Sequence, residues 1–255
     1  MKKIEMLPPP DCLDNKIEKF KRQQLRFYIN LRDKNGNIQP RWNTTCKEGG
    51  EVSKIRLKLL EMSSHTCVYC GVKIDNADME VDHYLPLSKF PYLAYCWENF
   101  LPACGKCNLN KLDFVPKSLT NKKIVEDILF DKFEYDLIYG RNYILNQITK
   151  NDRLIEPSFD IPEEHLEFIP ELYSYEAKTK IGEITIRSFF NHVVISEKFE
   201  ELSDIAKDLV LKMNNPREIL NSLKKIIKSF GYEYVFLKYY EYWLQEKEEE
   251  RIYRI

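Results

Sequence analysis

Two cysteine pairs constrain this chain more than any other feature. Both have the spacing Cys-x2-Cys, and they are Cys67/Cys70 and Cys104/Cys107. A structural zinc ion takes four ligands in a tetrahedron, and one Cys-x2-Cys turn supplies two of them. The two pairs therefore predict a structural Zn²⁺ site that joins the ends of the 33-residue segment between them. The alternative, four buried thiols without an ion, is the weaker interpretation for two matched pairs.

The cellular compartment follows from cysteine usage and from the lack of long apolar runs. The N-terminal residues contain no apolar run of the signal-peptide kind, and no stretch approaches the roughly 20 apolar residues of a membrane span. We therefore expect a cytoplasmic protein without a membrane partner. In a reducing compartment, the seven cysteines are metal ligands and buried thiols rather than disulfides.

Charge is segregated along the chain, although the formal net charge of the 255 residues is only -1. Residues 1–60 carry 14 Lys/Arg and 7 Asp/Glu, whereas residues 126–210 carry 9 and 19. A basic segment suits a phosphate-rich partner and an acidic one does not. Ordinary solvated faces are an equally good explanation for each run taken alone.

Hydrophobic periodicity and composition divide the chain into four segments. Residues 1–50 form a basic N-terminal arm with a helix at about 16–26, and 51–125 form a core around the cysteine pairs. Within that core, the alternating pattern at 79–87 predicts a strand, and Asn108 is a favourable cap for a following helix. Helices are predicted near 121–130 and 135–150. Residues 126–194 are acidic and mixed, with a strand-like pattern at 183–186. Residues 195–255 have helical spacing.

An Asp82-His83 dipeptide lies between the cysteine pairs, and Asn108 directly follows the second pair. Carboxylate and amide oxygens suit a hard cation such as Mg²⁺ or Mn²⁺, so Asp82 and Asn108 are candidate ligands of a catalytic metal. A neutral imidazole accepts a proton from water near pH 7, so His83 is a candidate general base. Judged alone, the dipeptide favours an ordinary structural histidine. Its position between two zinc pairs reverses that preference.

Several lysines follow these residues and are candidates for phosphate contacts. Asp113 is the one acidic residue in the same stretch. A basic helix at 16–26 would extend such a surface, and binding to it would weaken with salt because bound phosphates release counterions. The candidates are Lys106, Lys111, Lys117, Lys122 and Lys123.

With these residues in place, the sequence resembles the HNH endonucleases, which have the ββα-metal fold. The resemblance implies His83 as general base, Asp82 and Asn108 as ligands of a single catalytic metal, and Asn99 as the residue that orients the histidine loop. Asn108 stands where many members have a final histidine, which weakens affinity for softer metals more than for magnesium. The matching motifs are Cys67-x2-Cys70, Val81-Asp82-His83-x2-Pro86, Asn99-Phe100-Leu101-Pro102-Ala103-Cys104-x2-Cys107 and Asn108-x2-Lys111.

A looser resemblance extends through residues 153–168 and 180–186. This stretch is similar to the PtuB-like HNH subunits of anti-phage systems such as Septu and certain retrons. That similarity implies an ABC-type, PtuA-like ATPase as partner, or a retron complex of reverse transcriptase and non-coding RNA. No such similarity is identified for residues 195–255.

The sequence therefore predicts an α+β protein in which a zinc-stapled ββα-metal (HNH) nuclease core is embedded in a largely helical chain. The predicted activity is metal-dependent hydrolysis of nucleic-acid phosphodiester bonds in anti-phage defence. DNA is the favoured substrate, and RNA, including tRNA, is compatible. The alternative is a non-catalytic zinc module that binds nucleic acid or an ATPase. Binding alone does not require the combination of Asp82-His83 with Asn108, which favours the nuclease.

Overall fold

The structure is a computed structural model. It describes residues 1, 3–10, 47–48, 52–88, 96–117, 151–190, 193–212 and 215–252. Within these ranges, helices combine with three two-stranded antiparallel sheets, which confirms the predicted α+β class. The helices predicted at 16–26, 121–130 and 135–150 lie outside the described residues. No helix in the described part of the chain is long and apolar enough to cross a bilayer.

The described secondary-structure elements are seven helices and six strands. Two single-turn 3-10 helices, Trp97–Asn99 and Pro170–Leu172, are also present. In chain order the described elements are β1 (Lys47–Glu48), β2 (Val52–Ser53), α1 (Lys54–Met62), β3 (Met79–His83), β4 (Phe100–Cys104), α2 (Gly105–Lys111), α3 (Pro162–His165), β5 (Leu166–Ile169), β6 (Ser174–Ala177), α4 (Lys180–Phe189), α5 (Val193–Lys212), α6 (Pro216–Phe230) and α7 (Glu233–Ile252).

A hairpin followed directly by a helix forms the ββα unit that the motifs predict. Strands β3 and β4 pair antiparallel, from Met79 opposite Cys104 to His83 opposite Phe100. Helix α2 begins at the residue after Cys104, whose sulfur accepts the backbone N–H of Cys107 as the N-cap. Asn108 was predicted to cap this helix but lies inside it. The prediction was wrong because the sulfur of Cys104 already performs the capping role.

The first cysteine pair lies in a tight turn after α1, which we call the first knuckle (residues 66–73). Helix α1 buries Ile55, Leu59 and Leu60 against the core. The backbone N–H of Cys67 then donates to the carbonyl of Val72, and that of Val68 to the carbonyl of Pro102 on β4. These two hydrogen bonds close the turn and attach it to the hairpin that carries the second pair.

Residues 183–186 are helical rather than extended, so the strand-like interpretation of this segment was wrong. Helix α4 is capped by Thr179, whose hydroxyl accepts from the N–H of Gly182 at 3.2 Å. Its buried face includes Ile181, Thr185 and Phe189, spaced four residues apart as one side of a helix requires. The β-branched run from 184 to 186 favours a strand locally, but the cap and the buried face outweigh that preference.

The junction between α6 and α7 is pinned to the first knuckle by backbone hydrogen bonds. The N–H of Lys73 donates to the carbonyl of Phe230 at 3.0 Å, and the N–H of Tyr232 donates to the carbonyl of Gly71 at 2.7 Å. Gly231 between them has φ +78°, and a Cβ there would lie 2.3 Å from the Gly71 oxygen. Only glycine fits this position, so the helical end of the chain is built to contact the knuckle.

A single hydrophobic core joins the ββα unit to the C-terminal helices. Its buried members include Tyr69 in the knuckle, Phe100 in β4, Ile155, Phe189 in α4 and Phe236 in α7. The described part of the chain is therefore one packed body rather than a nuclease-like unit with a loose appendage. The predicted division into four segments stays a prediction.

The stretch after residue 151 packs beside the loop that follows His83. Arg153 and Asp160 form a buried ion pair that closes this stretch on itself. The hydroxyl of Tyr84, the residue after His83, donates to the carbonyl of Leu154 at 2.6 Å. The histidine loop is therefore fixed from one side by a segment some 70 residues further along the chain.

Candidate active site and metal centre

The four cysteines of the two pairs converge on one point. All four sulfur atoms lie within 4.8 Å of one another, and the Cys70 and Cys104 sulfurs are 3.9 Å apart. Four sulfurs held about 2.3 Å from a zinc ion at tetrahedral angles are about 3.8 Å apart. The donor set and its spacing therefore fit a structural Zn²⁺, as predicted. Among the described residues, no other group of three or more His, Cys, Asp or Glu side chains is placed to hold a metal.

Close packing of the four thiols separates their pKa values. The neighbouring cysteines hydrogen-bond to the Cys104 sulfur and hold the pKa of that thiol below its usual range. The Cys104 sulfur and the other two raise the pKa of the Cys107 thiol. Four thiolates side by side would repel one another. A dication between them is the charge that allows all four to be deprotonated.

Asp82 lies buried between the first knuckle and α2, with only 3% of its surface exposed. Its Oδ1 accepts a hydrogen bond from the Lys111 ammonium at 2.8 Å. Its Oδ2 accepts one from the Tyr69 hydroxyl at 2.5 Å. Each carboxylate oxygen therefore accepts one hydrogen bond, and together the two bonds fix the position of the Asp82 side chain.

Lys111 does not lie where a phosphate contact would, and the structure corrects that prediction. Only 3% of the residue is exposed, and its ammonium donates to both Asp82 and the carbonyl oxygen of His83. Moving the Lys111 ammonium out to a phosphate would leave the buried Asp82 carboxylate without its cation, at a free-energy cost of about 3–5 kcal/mol. Lys111 instead ties the last turn of α2 to the end of β3.

Tyr69, between the two cysteines of the first knuckle, is a site residue that sequence analysis missed. Its ring is fully buried and stacks on Phe189 of α4, with centroids 4.2 Å apart. Burial and the adjacent Asp82 carboxylate raise the pKa of the Tyr69 hydroxyl well above its usual value, so the group stays protonated and donates. Nothing in the local sequence distinguishes this tyrosine, because its partner lies on another element.

His83 ends β3 as a half-buried side chain whose ring meets Phe100 edge-on at 5.2 Å. The loop after it is clamped by Asn99, which is fully buried. The Asn99 side chain accepts from the Leu85 N–H at 2.8 Å and donates to the Leu85 carbonyl at 3.0 Å. Its own carbonyl accepts the N–H of Tyr84. This loop therefore leaves the strand in one defined direction.

Asn108 and Lys111 lie on the side of α2 that faces β3. The Asn108 amide donates to the Glu80 carboxylate, just as Lys111 donates to Asp82. Glu80 and Asp82 are two residues apart on one face of the strand, so two parallel contacts join helix and strand. Glu80 is exposed and lies next to the candidate metal ligands. Sequence analysis missed this carboxylate as well.

The remaining candidate phosphate contacts are spread beyond this interface. Lys106 is exposed in the first turn of α2, and Lys117 is exposed six residues after the helix ends. Lys122 and Lys123 lie outside the described residues. By contrast, the four candidate catalytic residues all lie on or next to the β3–β4 hairpin and helix α2. They are Asp82, His83, Asn99 and Asn108.

Comparison with known proteins matches the same part of the chain. Residues 67–114 match the family model of the HNH endonucleases, so this segment carries a domain of that family. The chain is also 27% identical over 175 residues to the Septu protein PtuB of Bacillus thuringiensis. That alignment covers 63% of this chain and 54% of the relative, so the chain spans about half the length of the curated protein it matches. No solved structure gives a significant match.

These matches confirm the two resemblances that the motifs predict. The HNH segment contains all four cysteines together with the four candidate catalytic residues. The Septu relative supports the looser similarity further along the chain. The retron partners stay a prediction.

Proposed function

Because residues 67–114 carry an HNH endonuclease domain, we propose that this protein is a metal-dependent endonuclease that hydrolyses nucleic-acid phosphodiester bonds. The observation that carries the proposal is the β3–β4–α2 unit beside a four-cysteine centre. That unit presents a histidine at a strand end and an amide on the facing helix. DNA is the favoured substrate, and the same chemistry is compatible with RNA.

Asp82 and Asn108 would hold the catalytic ion, Mg²⁺ or Mn²⁺. Their oxygens suit a hard cation, and a carboxylate offers about four acceptor positions, of which Lys111 and Tyr69 use two. When bound, such an ion would neutralise the scissile phosphate and stabilise the leaving oxygen. Tyr69 and Lys111 hold the Asp82 carboxylate in place for that purpose, so we assign both as positioning residues.

His83 is proposed as the general base that takes a proton from the attacking water. Its backbone carbonyl is held by Lys111, and the loop that follows is clamped by Asn99. A base is effective only when it points steadily at the proton it abstracts. Asn99 therefore acts through His83, by setting the direction in which the chain leaves the strand.

The four-cysteine centre has a structural part in this proposal. Zinc bound by four thiolates has no open position for substrate, so it would not act on the phosphate. Its contribution is to hold the first knuckle against β4, and thereby to place Tyr69 against Asp82.

The similarity to the Septu protein PtuB supports a proposed role in anti-phage defence. We propose an ABC-type ATPase as the partner, by the same similarity. The acidic stretch at 126–210 suits a protein partner better than a polyanion.

Cleavage of labelled plasmid DNA and of total RNA with Mg²⁺ or Mn²⁺ tests the proposal. Wild type is compared with His83→Ala, with and without a co-expressed ATPase partner. Cleavage that is lost in His83→Ala, with fold and zinc content unchanged, supports the nuclease and identifies its substrate.

One observation favours a second candidate, a non-catalytic zinc module that binds nucleic acid or the ATPase. Both Asp82 oxygens are bound within the protein, as in a purely structural carboxylate. Absence of cleavage under all conditions, with zinc bound and the fold intact, would favour this candidate instead.

A further inference from the structure

A groove of about 440 Å³ lies beside the first knuckle, and none of the candidate catalytic residues lines it. Three segments form its walls: Met1 with residues 3–5, residues 62–73, and residues 224–235 around the α6–α7 junction. The backbone hydrogen bonds from Lys73 to Phe230 and from Tyr232 to Gly71 hold two of these walls together. The groove is therefore a preformed feature of the fold.

Four lysines line the groove and come from all three walls: Lys3, Lys73, Lys224 and Lys228. The lining also includes the carboxylates of Glu5 and Glu233 and the sulfurs of Cys67 and Cys70, so the four lysines outnumber the two carboxylates. Because the three walls are remote from one another in sequence, only the fold collects these lysines in one place.

These four lysines differ from three other lysines on the C-terminal helices. Lys198, Lys212 and Lys238 each contact a carboxylate three or four residues away on their own helix. None of the four groove ammonium groups forms an ion pair with a carboxylate of the described residues. Their charge is therefore available to an external anion.

The spacing of two groove lysines on α6 also favours a bound anion. Lys224 and Lys228 are four residues apart, which places their side chains next to each other on one helix face. Like charges at this spacing repel each other and weaken an isolated helix. An anion held between them would remove that repulsion.

We propose that this groove binds the phosphate backbone of a nucleic-acid strand, as a second contact for the substrate of the proposed nuclease. The choice of nucleic acid rests on the proposed function, whereas the anion preference rests on the groove itself. Lysine contacts to phosphate position a strand without reading its sequence. The volume is also within the range of small-ligand sites, so a nucleoside triphosphate offers the same chemistry from another source.

Binding in a cleavage-deficient background tests this proposal independently of catalysis. All proteins carry His83→Ala, and the test variant adds Lys224→Gln and Lys228→Gln. The matched control adds Lys212→Gln and Lys238→Gln, which removes the same charge from lysines that are already paired. Fluorescence anisotropy of labelled single-stranded DNA and RNA is measured across a salt series, and zinc content is determined for each protein.

We expect the test variant to bind about five- to tenfold more weakly than the control, with a salt slope smaller by up to about 1.4, or about 0.7 for each lost phosphate contact. Equal affinities in the two variants would overturn the proposal. Loss of zinc from the test variant alone would also overturn it, because the lysines would then be neutralising the zinc–thiolate centre. Competition by ATP identifies the source: tight ATP binding without strand binding would overturn the assignment to nucleic acid.

Discussion

The Tyr69 hydroxyl donates to Asp82 Oδ2 at 2.5 Å, and this hydrogen bond joins the first knuckle to the strand that ends at His83. The tyrosine stands between two of the four cysteines, so its position depends on the shape of the knuckle. The structural centre and the proposed catalytic carboxylate are therefore parts of one polar network. Lys111 completes that network from the opposite side of the carboxylate.

Replacing Tyr69 by Phe keeps the ring and its stacking on Phe189 but removes the hydrogen bond. We expect a loss of about 1–3 kcal/mol in unfolding free energy, because a buried carboxylate oxygen loses its partner. Nuclease activity should fall while zinc content stays at the wild-type level. Urea unfolding and plasmid cleavage measure the two effects, with Tyr240→Phe as control. Unchanged stability and cleavage in Tyr69→Phe would show that the Tyr69 hydroxyl does not position the Asp82 carboxylate.

Replacing Lys111 by Met leaves the buried Asp82 carboxylate without its cation. Stability should fall by about 3–5 kcal/mol, and Asp82→Asn in the same chain should restore part of it because the unpaired charge is gone. Unfolding of the two single variants and the double variant measures this coupling. A phosphate-contacting lysine would behave differently: stability would hold, and the salt slope of nucleic-acid binding would decrease.

Replacing Asn99 by Ala removes the clamp on the loop after His83. Two buried backbone groups of Leu85 lose their partners, at about 1–3 kcal/mol each. We expect the catalytic rate to fall more than substrate affinity, because the base is misdirected rather than removed. Single-turnover cleavage and anisotropy measurements separate the two. If affinity fell and the rate held, Asn99 would act on substrate binding instead.

Removal of zinc should unfold the ββα unit. Structural zinc contributes on the order of 10 kcal/mol of folding free energy in small zinc peptides, and here the ion would join segments 33 residues apart. Chelation should expose residues 65–115 to proteolysis, and readdition of Zn²⁺ should restore protection. Elemental analysis should give one zinc per chain. Protection that persists in a metal-free sample would support four buried thiols instead.

Alkaline pH should destabilise the fold through its buried tyrosines. Burial raises the pKa of the Tyr69, Tyr84 and Tyr175 hydroxyls above the usual value. Their stabilising contribution is complete below the unfolded pKa of about 10 and is lost progressively as pH rises from that value through the higher folded pKa. Urea midpoints measured between pH 8 and 11 should decrease on the alkaline side. A midpoint that is flat across this range would contradict the shifts.

The sequence by itself determined the features that depend on local spacing and on side-chain chemistry. Two Cys-x2-Cys turns specify four sulfur ligands, and the alternation around Asp82 specifies a strand. Each of these patterns extends over a few residues. Over that length few backbone conformations are allowed, so the pattern is enough to predict the local structure. The same is true of the motifs from which the HNH resemblance was predicted.

Only the tertiary structure decided which groups are buried together. Lys111 looks like a surface lysine in the sequence, yet it pairs with Asp82 because α2 folds back on β3. Tyr69 binds Asp82, and Asn108 binds Glu80, for the same reason. The groove lysines are also collected from three remote segments. Burial and pairing depend on which segments pack together across long sequence separations, and local residue pattern does not encode that.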